Sequence, residues 1–508
     1  MRILTAQEAV RLIPEGATVA LSGGSYRAVA ESLLEALAER FDRDGTPTGL
    51  TVVAVSMVER SRRGEGGAGT GLNLMARPGM VTRVISGSYA RNPEREINRF
   101  VRSGDVPAYN YPMGTILQWL RATAAGRGAL LTPVGIGTFA DPRLDGGRVV
   151  PGRYAPLNRV VEVDGEELLS YPRLPVDVAL VKATSADRRG NLYADREAYD
   201  HGAVDVAMAA RNSGGIVLAE VNRIVDNGEV HPRFGRIPGP LVDAVVLRPD
   251  PWEDEQDPGL TGERRVPLPE DRPGDRPRDT IARAVVSLLP EGGMVNLGAG
   301  LPMYDVPAAA RLRGRDDLYF TVEQGPMGGR PLVGGAALNP EMIMGQLEVF
   351  DFYEGGGPDL SVLAFGEIDR HGHVNVSRFG GMMPGSGGFV NIVHGARELV
   401  FCGTLTTGGL RESVVDGRLV IEREGTIRRF VDEVEQITFN GTRARAAGRP
   451  ITVVTERAVF AVTGAGYRLD AVMPGVDIRR DVLAHIPFPV AVAREPRSMG
   501  EFLVHTVS

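Results

Sequence analysis

Residues 318–329, LYFTVEQGPMGG, put one carboxylate where an α/β sheet can use it. The apolar run reads as a buried strand and delivers Glu323 into a turn containing Gly325, Gly328 and Gly329. A glutamate at such a point caps the next segment, pairs with an arginine, or works as a general base or nucleophile. The nucleophilic role makes a further demand. Attack on an acyl carbon creates an oxyanion, and each preorganised N–H or amide donor facing it is worth about 2.7–4 kcal/mol. The same half of the chain carries four more glycine-rich stretches: NLGAGLP (296–302), FYEGGGPD (352–359), MMPGSGGF (382–389) and FCGTLTTGG (401–409). Such turns let backbone approach a ligand closely, and in a parallel sheet they are expected to gather at one edge. The glycine turns and Asn375 are then the available donors around Glu323.

Other chemistries lack their signatures. There is no GxxxxGK[ST], no GxGxxG at the Gly298 turn, and GGSYR at 23–27 is not a GxSxG elbow. His371 and His373, two apart in DRHGHVNVS, are too few for a ligand set, so no metal is expected. Cys402 is the single cysteine, which excludes an intrachain disulfide and a Cys-based zinc site. The net charge of −7 is spread without a Lys/Arg block, so neither nucleic acid nor a membrane surface is an expected partner. The opening MRILTAQEAVRLIPEG has no apolar signal core and no stretch approaches the length of a membrane span, which points to the cytoplasm.

The elements that must position Glu323 follow from length and repetition. A chain of 508 residues exceeds one hydrophobic core and predicts two large domains; 65 glycines and 35 prolines suit a turn-rich α/β chain. Thr5-x-x-Glu8 is a capping box opening a helix that ends by Pro14. The strand ATVALSGG and the helical pattern AVAESLLEALAERF follow. The second half opens the same way: AVRLIPEGATVALSGG from Ala9 lies over VVSLLPEGGMVNLGAG from Val285, with Pro14 over Pro290 at an offset of 276. DVALVKATSADRRGNLYADR from Asp177 lies over DLSVLAFGEIDRHGHVNVSR from Asp359, with Asp187 over Asp369 at an offset of 182. The sequence therefore predicts two tandem related open-sheet α/β domains, the N-terminal copy enlarged. Their expected limits are 1–247 and 280–508, joined by a proline- and charge-rich linker at 248–279 whose charges face solvent. Ile281, Ala284, Val285 and Leu288 mark the first helix of the second domain.

At this point the motifs resemble a known family. TVEQGPMGG, NPEMIMGQLEVFDFYEGGGPDLSVLAFGEIDRHGHVNVSRFG, GSGGFVNI, ELVFCGTLTTGGL, EVEQITFNG and VTERAVF are similar to family I coenzyme A transferases. So are AYNYPMGTILQWLRATAAGR and NSGGIVLAEV in the first half, so the resemblance covers nearly the whole chain and fits the single-chain propionate/acetate type. It implies a coenzyme A transferase fold with alpha- and beta-subunit-like halves. It implies Glu323 as nucleophile and Asn375 as oxyanion donor, with Gly298, Gly300, Gly388, Gly408 and Gly409 contacting coenzyme A or the thioester carbonyl. Gln324 departs from the Asn or Ser usual after the glutamate, and the short LSGGSYRAVA loop leaves Ser25, Tyr26 and Arg27 as acid-pocket candidates. The implied reaction is ping-pong exchange of coenzyme A between acyl-CoA and small carboxylic acids through a glutamyl-CoA thioester. It needs no resident cofactor or metal, and the assembly implied is a homo-oligomer, a tetramer by resemblance. An acyl-CoA hydrolase using the same glutamate and a non-catalytic CoA-ester sensor are the alternative readings.

Overall fold

The computed structural model describes residues 2–59, 69–248, 257–271 and 277–502. Among the described residues the chain builds two ten-stranded sheets, one from each half. The first runs in the order Ile3–Leu4, Ala244–Leu247, Ile216–Val225, Val178–Asp187, Thr18–Leu21, Leu50–Ala54, Val81–Ser86, Ala108–Asn110, all parallel, with two short antiparallel strands beside it. The second has a parallel centre of Tyr319–Thr321, Met294–Leu297, Leu360–Ala364, Glu398–Cys402 and Ile451–Val454. It continues into Ala458–Thr463, Gly466–Val472 and Val490–Ser498.

The internal repeat is repeated pairing. Val19 pairs with Val178, Ala20 with Ala179 and Leu21 with Leu180; at the two sequence offsets these become Val295 with Leu360, Asn296 with Ser361 and Leu297 with Val362. The strand entrances match as well. Asp177 accepts the Thr18 N–H at 2.8 Å and Asp359 accepts the Met294 N–H at 2.9 Å. Asp187 and Asp369 each close the following turn through the N–H groups two and four residues on. The enlargement of the first copy includes the helix Met113–Ala124 and a three-stranded antiparallel sheet spanning Ala129–Pro172.

The largest core crosses between the halves. Ile116, Trp119 and Leu120 of helix Met113–Ala124 share it with Phe350 and Tyr353 of helix Gln346–Glu354. Their close approach needs Gly114, where a Cβ would come within 2.7 Å of both Phe350 and the Asn391 amide. The first helix is shorter than its pattern, Ala6–Val10, although its capping box is present. Parts of the 248–279 linker, residues 249–256 and 272–276, lie outside the described residues. Its described part is strapped to the second half, which corrects the expectation of purely solvated charge. Asn339 bonds both the N–H and C=O of Val266 at 2.8 Å, and Asp271 meets Arg311 at 2.6 Å and Arg330 at 3.1 Å. No helix among the described residues is long and apolar enough to cross a membrane.

Candidate active site

Glu323 leaves the sheet two residues past the end of strand Tyr319–Thr321. Side chains alternate along a strand, so Phe320 and Val322 enter the outer core while Thr321 and Glu323 face the other half of the molecule. The chain turns at once because the Gly325 N–H returns to the Val322 carbonyl at 3.2 Å. Gly325 has φ +132°, and a Cβ there would strike the Met344 carbonyl oxygen. No other residue type fits that corner.

The carboxylate keeps a sliver of solvent contact, yet the protein around it removes enough water to push its pKa up to about 7. Two donors oppose that rise: Gln324 Nε2, 3.1 Å from Oε1, and the backbone N–H of Gly388. Gly388 is pressed against both the carboxylate and the Phe350 ring, so that a Cβ would collide with Glu323 Oε2 and lie 2.5 Å from Phe350. The GSGG loop is held in place by the first half of the chain. Asn110 Oδ1 accepts the Ser386 N–H at 2.9 Å, the Gly387 N–H donates to the Gly87 carbonyl at 2.9 Å, and the Gly387 carbonyl accepts from Met113 N–H at 2.9 Å. Asn110 itself is anchored by Nδ2 to the carbonyls of Ser86 and Gly87. The nucleophile's donor thus comes from one half and its position from the other.

The opposite wall is also shared. Tyr199 donates its hydroxyl to the Gly334 carbonyl at 2.6 Å and its Cβ lies against Gly325. Gly334 sits so near the Ser25 carbonyl that a Cβ would come within 2.6 Å. In the loop that bears Ser25, Tyr26 and Arg27, positive φ angles occur at Ser25 (50°), Tyr26 (81°) and Ala28 (51°). Three left-handed non-glycine residues in four positions are stored backbone strain of the kind that clusters at ligand sites. Behind them His201, buried and pushed down to about 4 by burial, meets Gln346 Oε1 at 3.2 Å across the two halves.

The other expected residues fall differently. Gly298 and Gly300 form the turn from strand Met294–Leu297 into helix Leu301–Arg311, at the same sheet edge as Glu323. Gly408 and Gly409 shape the turn into strand Arg411–Val415, where their carbonyls accept from Thr426 and Arg423. Gly355–Gly357 end a helix and lead into strand Leu360–Ala364, so FYEGGGPD lies at the amino edge, away from the expected gathering of turns. Asn375 spends its amide hydrogens on neighbours in its own half. Its Nδ2 donates to Glu367 at 2.8 Å and to the Arg378 carbonyl at 2.6 Å, which leaves no amide hydrogen for an oxyanion. His373 Nδ1 accepts the Gly441 N–H, and among the described residues no group of three His, Cys, Asp or Glu is placed to hold a metal.

Sequence reasoning missed Asn110, Gly87, Tyr199 and the Glu354 network. Glu354, pushed up to about 7 by burial, accepts from Asn391 at 2.6 Å and Gln118 at 2.8 Å, and so ties both halves behind Phe350. Nothing in the spacing of these residues signals their meeting. Strand pairing reveals an asymmetry between the copies, because at the position matching Glu323 the first half carries buried Val55.

The chain is similar to known proteins over nearly its whole length. The Coenzyme A transferase family profile matches residues 3–248. The chain is 35% identical to acetate CoA-transferase YdiF of Escherichia coli K12, over 99% of this chain and 94% of that protein. It is 33% identical to caffeate CoA-transferase of Acetobacterium woodii, over 99% and 97%. The solved acyl-CoA transferase YdiF of E. coli O157:H7, a thioester complex with CoA, superposes with a TM-score of 0.90 at 34% identity, covering 99% of this chain and 96% of that one.

Proposed function

The chain belongs to the coenzyme A transferase family and is an acyl-CoA transferase, and from that premise we propose that it exchanges coenzyme A between small carboxylic acids through a covalent thioester on Glu323. The observation that carries the reading is a half-buried, desolvated carboxylate with a backbone donor at the junction of two sheets. Glu323 attacks the acyl-CoA carbonyl carbon; the C–S bond breaks and coenzyme A leaves as thiolate, giving a mixed anhydride. The thiolate sulfur then attacks the glutamyl carbonyl, the first acid departs as carboxylate, and a glutamyl-CoA thioester remains. An incoming carboxylate reverses both steps and leaves as the new acyl-CoA. Thioester energy is kept throughout, so no external energy source is consumed.

Each part of the site supports a step. A pKa of about 7 keeps a useful fraction of Glu323 ionised at neutral pH while the desolvated carboxylate remains a strong nucleophile. The Gly388 N–H takes over as donor when charge moves to a carbonyl oxygen, the role Asn375 is not free to fill. Walls from both halves exclude water, which would otherwise hydrolyse the anhydride or thioester. Gly298 and Gly300 line the approach for coenzyme A in this reading, with Gly408 and Gly409 further along the second half, and Ser25, Tyr26 and Arg27 border the acid. The described thioester state of a relative supports the covalent intermediate, and relatives named for acetate and caffeate leave the acyl preference to the loop around Tyr26. Residues 1–247 and 280–508 then act as alpha- and beta-like halves of one cytoplasmic enzyme that assembles as a homo-oligomer.

The test is peptide mass spectrometry after incubation with propionyl-CoA and borohydride. A glutamyl thioester is reduced to the alcohol, so the Glu323 peptide alone loses one oxygen and gains two hydrogens, in wild type and not in Glu323→Ala. An unmodified peptide across a panel of acyl-CoA esters would sink the covalent mechanism. Turnover that needs no acceptor acid would make the enzyme a hydrolase instead.

A further inference from the structure

The strand that leads to Glu323 and the next two in the sheet carry polar side chains where a sheet interior is ordinarily apolar. Register sets Asn296 beside Thr321 on one side and Ser361 on the other, and paired side chains in parallel strands share a face. That face is the one Glu323 occupies two residues beyond Thr321, and all three residues are buried. Thr321 is satisfied, because its Oγ1 accepts the Tyr353 hydroxyl at 2.7 Å. Asn296 is not: neither Nδ2 nor Oδ1 has a partner among the described residues, and Ser361 Oγ has none either. Three orphaned polar atoms at one spot in a core demand an occupant, since buried polar groups are nearly always paired.

The duplicated half is a built-in control. At the positions matching Asn296, Ser361, Thr321 and Glu323 it carries Ala20, Ala179, Val53 and Val55, the first three in the same pairing and all four buried. This sheet therefore folds with no polar residue there. The polar set occurs in the copy that bears the nucleophile.

We propose that the polar cluster of Asn296, Ser361 and Thr321 binds a water molecule, and that this hydrated cluster, on the sheet face that Glu323 shares, is a positioning site for the nucleophile. Asn296 offers one donor and one acceptor side by side and Ser361 supplies either, which gives a water the two to four partners a buried site requires. Such a cluster is neutral and can reorient. It supports a carboxylate, an anhydride and a thioester in turn without leaving a buried charge uncompensated. Tyr353, which ties the cluster to helix Gln346–Glu354, lies close enough to Glu323 for its own ionisation to be opposed by that carboxylate.

The inference rests on Glu323 acting as nucleophile, and its test separates the two. A high-resolution crystal structure of the wild type should show a water within about 2.7–3.2 Å of both Asn296 and Ser361; a dry cluster overturns the proposal. Ser361→Thr and Ser361→Val have the same shape and differ in the hydroxyl. The threonine variant should keep kcat within about twofold, and the valine variant should lose about tenfold at unchanged KM for acyl-CoA, the worth of one or two hydrogen bonds. Equal kcat in the two variants overturns the positioning role. Failure of the wild-type Glu323 to label would sink the transferase mechanism instead, and the electron density would still decide the water site.

Discussion

Gly388 sits against Glu323 with no room for a methyl group between them, and its N–H is the backbone donor to that carboxylate. At φ −87° the backbone of Gly388 suits any residue, so the absence of a side chain answers to the nucleophile and to Phe350. Gly388→Ala should therefore displace the carboxylate and crowd the buried Phe350 ring, at a cost of about 1–3 kcal/mol of stability. The expected loss is about 10²-fold in kcat with little change in KM, read by steady-state kinetics with propionyl-CoA and acetate. A wild-type kcat would mean that Gly388 is only a tight turn.

Gln324, next in the chain after the nucleophile, donates to Glu323 Oε1. Removing that donor with Gln324→Leu leaves desolvation less opposed, so the Glu323 pKa rises further above about 7. The acid limb of the kcat/KM profile should then move to higher pH by up to about one unit. An unmoved limb would show that Gln324 does not tune the nucleophile.

Glu323 itself costs the fold stability. Its folded pKa of about 7 lies above the ordinary 4.5, so the folded state binds the proton more tightly, and stability is lost as pH rises from about 4.5 to about 7. Glu323→Gln removes the charge and keeps the shape. It should melt higher than wild type at pH 8, by on the order of 2 kcal/mol, and gain little at pH 5. Equal gains at both pH values would place the effect outside ionisation.

Asn110 holds the Gly388 loop from the other half of the chain through the Ser386 N–H. Asn110→Leu leaves that buried N–H unpaired, at about 1–3 kcal/mol, and takes one of two donors from each of the Ser86 and Gly87 carbonyls, which keep the N–H groups of Tyr111 and Gly387. Thermal unfolding should fall by several degrees, and labelling of Glu323 by acyl-CoA should slow more than acyl-CoA binding weakens. Unaltered labelling would detach this contact from the chemistry.

Much of the fold is legible in the sequence because repeats and strand patterns are local. The offsets of 276 and 182 residues announce duplicated sheets, and the structure repeats the same residue pairings at those offsets. The glycine corner after Glu323 is equally local, since Gly325 holds its positive φ in a turn closed to Val322, three residues back. Asn375 shows the limit. A Val-Asn turn reads as an available donor, but its amide is consumed by Glu367 and Arg378, and only coordinates reveal where a side chain spends its hydrogens. The linker misleads similarly, because charge density says nothing of Asn339 waiting to clasp Val266.

The sequence by itself determined a duplicated α/β chain, one copy of which ends a strand in a glutamate and a glycine turn. Tertiary structure decided what that glutamate can do. Its raised pKa is set by water excluded from both sides, its donor by a loop whose anchor, Asn110, is 276 residues from Ser386, and its polar cluster by neighbours on two other strands. Desolvation and hydrogen bonding are properties of what surrounds an atom in space. Strand period and turn chemistry are properties of adjacent residues, which is why the element that carries Glu323 was written in the chain and its chemistry was not.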